Sequence, residues 1–198
     1  MDVRTMIIGL TLSLLLASGV AVAADYDTGL KAYESGDFKT ALADWTPLAE
    51  QGHSLSQHML GVMYEYGYGV SESNKTAAEW YAKSAEQGFA YAQSALATLY
   101  ENGDGVPKNN RRAAKWFTKS AKQGFSIAQV RLGYIYQTGK GVFKDYLRAY
   151  MWFNLAAYNG YTAINRVKDL LAKQMTPADI AKAQEMSSIC LESNYTDC

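Results

Sequence analysis

Residues 59–94 read MLGVMYEYGYGVSESNKTAAEWYAKSAEQGFAYAQS, and residues 95–130 read ALATLYENGDGVPKNNRRAAKWFTKSAKQGFSIAQV. The two stretches are identical at 18 of 36 positions. The same spacing continues in both directions and relates two further series of residues: Gly52, Gly88, Gly124 and Gly160, and Trp80, Trp116 and Trp152. Self-similarity at a period of this size indicates an array of stacked supersecondary units.

Each unit predicts a first helix that ends at a glycine turn. Leu60, Met63 and Tyr64 recur at three- and four-residue spacing, which indicates one buried helical stripe. A Gly-x-Gly-Val turn then interrupts the chain at 67–70, 103–106 and 139–142. Glycine takes up the left-handed conformation without a steric penalty, so the first glycine is expected to end the helix. Because the turns follow a helix and not a strand, a phosphate-binding loop is not favoured.

A second amphipathic helix is predicted after each turn. Ser73, Asn109 and Asp145 stand four residues after the second glycine, and all three are good helix N-caps. Small and aromatic residues then recur at helical spacing, in the second unit as Ala77, Trp80, Tyr81, Ser84 and Ala85. No segment needs to be a strand, so the sequence predicts an all-α protein.

Together these motifs resemble the Sel1-like repeat family, a branch of the tetratricopeptide-type helical repeats. The resemblance covers residues 26 to about 166 and rests on Leu60-Gly61-x-x-Tyr64, Gly67-x-Gly69-Val70, Ala77-x-x-x-Tyr81 and Ala85-Glu86-Gln87-Gly88. It implies a right-handed α-solenoid of helix-turn-helix repeats over residues 24–166, with units at about 26–58, 59–94, 95–130 and 131–166. Residues 167–198 look like the C-terminal capping helices and tail of exported bacterial members, with a final helix that opens at Thr176-Pro177.

The first unit departs from the pattern. Tyr33 and Ala41 are 8 residues apart, compared with 13 for Tyr64 and Ala77. Atypical terminal units are expected in a repeat array, because one side of each faces solvent. Pro47 falls in the predicted second helix of this unit, where a regular interior position costs about 3 kcal/mol. A kink or a late helix start is therefore expected there.

Residues 1–23 predict a secretory signal peptide. Arg4 precedes the apolar run 6–16, and Ala21-Val22-Ala23 places small residues at the −3 and −1 positions of a cut after Ala23. The run is shorter than the ~20 residues that span a bilayer, which disfavours the alternative of a membrane anchor. The mature chain is therefore expected in the periplasm or outside the cell, without stable membrane insertion.

Cys190 and Cys198 are the only cysteines, and both lie at the C-terminus. In an oxidising compartment an intramolecular disulfide would close a loop of nine residues and hold a tail that would otherwise fray. Two free thiols, or pairing between molecules, are the alternative. The spacing is too wide for a redox pair.

The composition argues against catalysis and against nucleic acid. The chain has 19 Lys and Arg, 19 Asp and Glu and a formal net charge of +0, which gives no overall attraction to phosphates. The only histidines, His53 and His58, are five residues apart, so on a helix they diverge by about 140° and do not share a face. We therefore predict a protein that is not an enzyme and has neither a metal site nor a cofactor.

The first helix of each unit is expected to line a concave groove, by analogy with tetratricopeptide repeats. We call the surface formed by these first helices the A-helix face. Positions there that packing does not determine differ from unit to unit, which suits the recognition of a peptide segment. We predict that another protein or peptide binds through nine residues: His58, Val62, Glu65, Tyr66, Tyr91, Thr98, Asn102, Tyr134 and Gln137.

Tyrosines are expected to dominate this surface, because the side chain buries a large rigid area and keeps a polar tip. Tyr66 and Tyr68 do not recur in the other units, and both are expected to be exposed. Two alternatives to a binding scaffold are a hydrolase directed at cell-wall or β-lactam substrates and a structural spacer without a ligand groove. The cysteine-rich relatives credited with β-lactam hydrolysis carry cysteines in their repeats, and the repeats of this chain have none.

Overall fold

The computed structural model describes residues 25–198, so the predicted signal peptide at 1–23 lies outside the described residues. Within 25–198 every regular element is helical and no strand occurs, which confirms the all-α fold class. The α-helices are α1 (Tyr26–Glu34), α2 (Phe38–Glu50), α3 (Ser54–Tyr66), α4 (Asn74–Glu86), α5 (Ala90–Asn102), α6 (Asn110–Ala121), α7 (Ser126–Thr138), α8 (Tyr146–Tyr158), α9 (Asn165–Ala172) and α10 (Pro177–Glu192). A 3₁₀ turn, Thr162–Ile164, precedes α9.

Consecutive helices from α1 to α9 pack against each other, and α10 packs on α8, which makes the protein an α-solenoid. The turns within the pairs follow the prediction. The first helices end at glycines with a left-handed backbone, namely Gly67, Gly103 and Gly139. The second helices begin after the predicted side-chain N-caps, namely Ser73, Asn109 and Asp145.

In two of the three repeated pairs, a glycine of the first helix lies directly against an aromatic ring of the second. Gly61 in α3 faces the ring of Tyr81 in α4, and a methyl group at this position would lie 2.5 Å from the ring carbons. Gly133 in α7 faces Phe153 in α8 in the same way. Since no side chain fits between helix and ring, the packing requires these two glycines. The α5–α6 pair carries Ala97 at the equivalent position, buried near Phe117.

A buried amide links each pair to its neighbours. The Nε2 atom of Gln57 donates to the carbonyl oxygen of Ala49 at 2.9 Å, and its Oε1 atom accepts from Gln87 at 2.7 Å. The same pattern recurs at Gln93 and Gln129. Because a buried polar group is costly unless it is satisfied, these contacts hold successive units in one register.

The helix pairs are offset from the predicted units. The repeated pairs span 54–86, 90–121 and 126–158, whereas the predicted boundaries at 58/59, 94/95 and 130/131 fall inside α3, α5 and α7. The boundary at 166/167 likewise falls inside α9. The period was correct but its starting point was not, because a period alone does not say where a unit begins; the helix caps determine that.

The first pair, α1 and α2, packs around Trp45. This side chain is fully buried, and its Nε1 atom donates to the carbonyl oxygen of Tyr26 at 3.1 Å. Helix α2 begins at Phe38, so of the two outcomes expected at Pro47, a kink or a late helix start, the late start does not occur. Pro47 lies in the last turn of α2, between the buried side chains of Trp45 and Ala49, and tertiary packing of this kind sustains a helix against poor local propensity.

The last two helices and the tail close the C-terminal end. Helix α10 packs on α8 and begins with a capping box between Thr176 and Asp179. The buried Cys190 lies next to Cys198, at a Cα–Cα distance of 4.7 Å that suits a disulfide. The tail turns back over the solenoid, and the Tyr195 hydroxyl donates to Oδ1 of Asn159 at 2.9 Å.

Candidate functional site

The nine predicted contact residues lie on α3, α5 and α7, the helices that form the A-helix face. The aromatic ones are well exposed: Tyr66 at 59%, Tyr91 at 55% and Tyr134 at 39%. Asn102 is also exposed, and the remaining five are partly buried, namely His58, Val62, Glu65, Thr98 and Gln137.

His58 supports the A-helix face from beneath. Its ring packs against those of Tyr81, Phe89 and Tyr91, with centroid distances of 5.4, 5.2 and 6.2 Å. Burial lowers the pKa of His58 to about 4, so the ring is neutral at pH 7. Its Nδ1 atom is buried without a hydrogen-bond partner among the described residues. This placement leaves Tyr91, and not His58, as the group that a partner would touch.

Glu65 is engaged by the neighbouring helix. The Tyr81 hydroxyl donates to Oε2 of Glu65 at 2.6 Å, and burial, reinforced by this carboxylate, raises the pKa of Tyr81. One unit later Phe117 has no hydroxyl to donate, and Glu101 instead lies 3.9 Å from the guanidinium of Arg131. The same position on the A-helix face therefore carries a tethered carboxylate in α3 and a surface ion pair in α5.

The N-terminal end of the face is an aromatic stack. Tyr66 stacks on Tyr68 at 5.7 Å, and Tyr68 in turn stacks on Phe38 at 4.8 Å and meets Tyr33 edge-on at 5.9 Å. Tyr68 is thus partly buried in the N-terminal core, so the prediction that it is exposed is wrong. Tyr66 alone presents its ring to solvent.

The middle of the face is also aromatic. Tyr91 packs on Phe89 at 5.3 Å and on Phe125 at 4.6 Å, so its exposed ring is held from two sides as well as from His58 below. A ring fixed in this way loses little conformational freedom when a partner covers it.

An apolar pocket of about 360 Å³ lies at the C-terminal end of the face, between α7 and the segment formed by the 3₁₀ turn and α9. A second cavity of about 220 Å³ shares Arg131 and Tyr134 with it and extends to Glu101. The guanidinium of Arg131 therefore stands where the two cavities meet. The apolar pocket is lined by Ile127, Val130, Arg131, Tyr134, Tyr161, Ala163, Ile164 and Val167.

Only Tyr134 of the eight lining residues belongs to the nine predicted contact residues, all of which lie on the first helices of the units. Tyr161, Ile164 and Val167 come from the segment after α8. A signal for one of them was present: Phe89, Phe125 and Tyr161 are spaced by 36. The period therefore continues into the wall of the pocket.

Within residues 25–198, no group of three or more His, Cys, Asp or Glu side chains is placed to hold a metal ion. None of the helices in this part of the chain combines the length and the apolar composition that crossing a membrane requires. The A-helix face offers exposed aromatic rings, amides and one guanidinium beside an apolar pocket, a combination suited to binding a peptide.

A family model described as Sel1 repeat matches residues 54–89, 90–125 and 126–161, which is more than half of the chain. Each match begins with the first helix of a pair and ends just after the second, so the matches follow α3–α4, α5–α6 and α7–α8. A search of the curated proteins returned no match.

Solved structures of bacterial proteins share the fold. A Sel1 repeat protein from Oxalobacter formigenes is 27% identical, with a TM-score of 0.71, over 86% of this chain and 78% of that chain. The protein c5321, a protective antigen present in uropathogenic Escherichia coli strains, is 30% identical, with a TM-score of 0.73, over 84% of this chain and 41% of that longer chain. Helicobacter pylori cysteine rich protein B is 24% identical, with a TM-score of 0.53, over 66% of this chain and 94% of that chain, a likeness of fold alone. The repeat matches and the helix pairs that they follow show that this chain belongs to the Sel1 repeat family, whose fold is generally a scaffold for protein–protein interaction.

Proposed function

We propose that this protein is an exported scaffold that holds a peptide segment of another protein along the A-helix face, with one apolar side chain of that segment seated in the pocket between α7 and α9. The observation that carries the proposal is the pocket itself. Ile127, Tyr134 and Tyr161 all line it and remain exposed, so an apolar side chain that enters it removes several apolar surfaces from water at once.

The rest of the face supports an extended contact. Tyr66, Tyr91 and Tyr134 stand on α3, α5 and α7, so each of the three first helices contributes one exposed ring. Rigid tyrosines spaced along a surface are typical anchors of protein interfaces. The spacer alternative predicts no such repeated exposure, because an aromatic ring in water gains nothing unless a partner covers it.

Arg131 gives the segment a preferred chemistry. Its side chain is about half exposed, and within residues 25–198 Glu101 is its only carboxylate neighbour, at 3.9 Å. A carboxylate on the bound segment beside the apolar anchor would add a second partner to this guanidinium. We therefore favour a segment that carries an Asp or Glu next to a Leu, Ile or Phe.

Export rests on the predicted signal peptide at 1–23 and is supported by the Cys190–Cys198 pair, which suits an oxidising compartment. In that setting the partner would be a component of an envelope complex, or a protein that the scaffold regulates. Expression of the full chain with a C-terminal tag tests this step: a periplasmic protein that begins at Ala24 is expected, and a cytoplasmic protein that retains Met1 would contradict it.

The binding surface is tested by site-specific photo-crosslinking. The photoreactive residue p-benzoylphenylalanine replaces Tyr134 in one protein and Tyr158 in its control, because Tyr158 is also exposed but lies at the end of α8. A discrete adduct is expected from position 134 and none from 158 in envelope extracts. Equal labelling at both positions, or none at either, would favour the spacer.

Affinity for the captured segment provides the second measurement. Ile127→Asn with Tyr134→Thr should weaken binding about tenfold or more, since both side chains line the pocket. Thr98 occupies the position of Tyr134 one unit earlier, so the change is compatible with the fold. The matched control, Ile189→Asn with Tyr158→Thr, alters two exposed residues elsewhere and should leave the affinity unchanged.

A further inference from the structure

Phe143 is the most exposed large apolar side chain among the described residues, with 97% of its surface accessible. It lies in the turn between α7 and α8, directly after Gly139-x-Gly141-Val142. The same position in the two preceding units holds Ser71 and Pro107. The fold therefore does not need an aromatic residue here, and the packing of this protein does not use the one it has.

The chain around Phe143 is strongly basic. Residues 105–144 contain nine Lys and Arg and no Asp or Glu, whereas the equivalent residues one unit earlier, 69–108, contain three basic and five acidic residues. The formal net charge of +0 for the whole chain thus conceals a positive region in the middle of the array. The net charge of the whole chain therefore does not exclude an anionic partner for residues 105–144.

Four of these cations belong to the turn of Phe143 or stand at or next to residues that line its cavity. Lys140 and Lys144 belong to the same turn, and Arg111 lines an open cavity of about 560 Å³ together with Phe143. Lys108 directly precedes Asn109, which lines the same cavity. Within residues 25–198 none of the four side chains lies within 4.0 Å of a carboxylate. We call Lys108, Arg111, Lys140, Phe143 and Lys144 the basic edge.

The acidic residues that border this region in the sequence are occupied locally. Asp104 accepts a hydrogen bond from the side chain of Asn102 at 2.9 Å. Asp145 caps α8, accepts from the backbone N–H of Arg148 at 3.0 Å and lies 3.7 Å from its guanidinium. The Nζ atom of Lys144 lies 4.5 Å from the centre of the Tyr146 ring, and the charges of the basic edge have no carboxylate partner among the described residues.

We infer that the basic edge is a contact site for the surface of an anionic phospholipid bilayer. The Phe143 ring would enter the interfacial layer, and the four long cationic side chains would lie against lipid phosphates. The open cavity between Arg111 and Phe143 leaves room for a headgroup beside the ring. The protein would remain on the membrane surface, because its described helices do not cross a bilayer.

The apolar content of the edge favours a membrane over an acidic protein. A protein interface of ordinary size buries about 800 Å² on each partner and contains several apolar anchors. The basic edge has one large exposed apolar group. A single protruding ring among extended cations is sufficient for an interfacial contact, in which electrostatic attraction provides much of the binding.

The test is co-sedimentation of the mature protein with vesicles of phosphatidylcholine that contain phosphatidylglycerol at about one third. Binding is expected at low ionic strength, with a steep loss in high salt and none to phosphatidylcholine alone. Phe143→Ser should weaken it several-fold. Lys140→Asp with Lys144→Glu should weaken it about 25-fold or more, at roughly fivefold for each of the two basic charges removed. The three substitutions introduce residues found in this turn in other units, namely Ser71, Asp104 and Glu72.

Lys173→Asp with Lys182→Glu makes the same change in net charge on exposed residues near the C-terminus and should leave binding within about twofold of the unmodified protein. Equal losses in both double variants would overturn the proposal, because attraction to net charge would then explain the binding. Absence of binding in low salt would also overturn it. A third outcome would also overturn it. If vesicles are not bound but a poly-glutamate peptide or a second copy of the protein binds through the basic edge in a salt-sensitive way, the partner is an acidic protein.

Discussion

The α3–α4 and α7–α8 pairs share one scaffold and differ on the surface that it supports. In both, a glycine of the first helix touches an aromatic ring of the second, a glutamine amide holds the preceding helix, and a left-handed glycine ends the first helix. On α3, however, His58 is buried under aromatic rings and Glu65 is tied to Tyr81. On α7 the equivalent positions are Val130 and Gln137. Val130 lines the open pocket, and Gln137 does not.

The two pairs show which positions of the repeat stay similar and which vary. Positions that contact the partner helix are kept from unit to unit, whereas positions that point away from it are released for individual chemistry. In the second unit the variable positions His58 and Glu65 make contacts within the protein. In the fourth unit the variable position Val130 lines an apolar pocket. Substitutions that exchange the two chemistries test this division.

Gly133→Ala should have the largest effect. The new methyl group would overlap the ring of Phe153, so the free energy of unfolding, measured in urea, is expected to fall by about 2–3 kcal/mol. Combination with Phe153→Leu should recover part of the loss, because the smaller side chain makes room. Ala97→Gly in the α5–α6 pair provides the control and should cost only about 1 kcal/mol. A neutral Gly133→Ala would show that the close approach is not required.

The buried His58 should make stability depend on pH in a way that α7 does not. Its folded-state pKa is about 4 and its unfolded value about 6.5, so the unfolded chain binds the extra proton between these limits. The resulting stability is fully present well above pH 6.5 and declines by about 2 kcal/mol as the pH falls to about 5.

The control for this effect is His58→Val, which introduces the residue that α7 carries at Val130. Urea titrations of both proteins at several pH values isolate the contribution, since carboxylate titration is common to both. If the two proteins lose stability in parallel between pH 6.5 and 4, His58 is not buried as a neutral ring.

Tyr81→Phe removes the hydroxyl that binds Glu65 and should lower the free energy of unfolding by about 1.5 kcal/mol. Addition of Glu65→Gln reproduces the Phe153 and Gln137 combination of the fourth unit and should return about half of the loss. Thermal and urea unfolding of the two variants measure this coupling. A double variant less stable than Tyr81→Phe alone would mean that Glu65 has another stabilising partner.

Cys198→Ser should have the smallest effect. The disulfide holds a short tail at the end of the α7–α8 side of the molecule, so the tail can detach without unfolding a helix pair. We expect less than about 1 kcal/mol of lost global stability. Hydrogen exchange should accelerate at Tyr195 and leave α3–α4 unchanged. A large drop in melting temperature would show that the tail belongs to the core.

Most of the fold was predictable from sequence, because caps and close contacts impose specific residues. Glycines that end helices and the side chains at Ser73, Asn109 and Asp145 indicated every turn of the repeated pairs. The starting point of the units was not predicted, since all positions share the same period. The late helix start expected at Pro47 does not occur, because burial of Trp45 and Ala49 outweighs the local helix penalty of proline.

The candidate site was only partly predictable. The exposed tyrosines followed from their variation between units, whereas the burial of His58 depends on rings from α4, α5 and the turn between them. Ser94 and Val130 occupy the same position in the next two units, so the histidine itself does not recur. The pocket needed the placement of Ile164 and Val167 against α7, a contact between a repeat and a segment that does not repeat.

Tyr195 has a consequence for how a longer protein of this kind could arise. It stands 36 residues after Asn159, its hydroxyl bonds back to that amide and its ring lies beside Gly124, so the tail covers the last repeats. Duplication of a repeat at the C-terminal end would have to displace this tail. Insertion of one extra copy of residues 90–125 in the middle would leave both ends intact, so the array can lengthen internally while its termini stay closed.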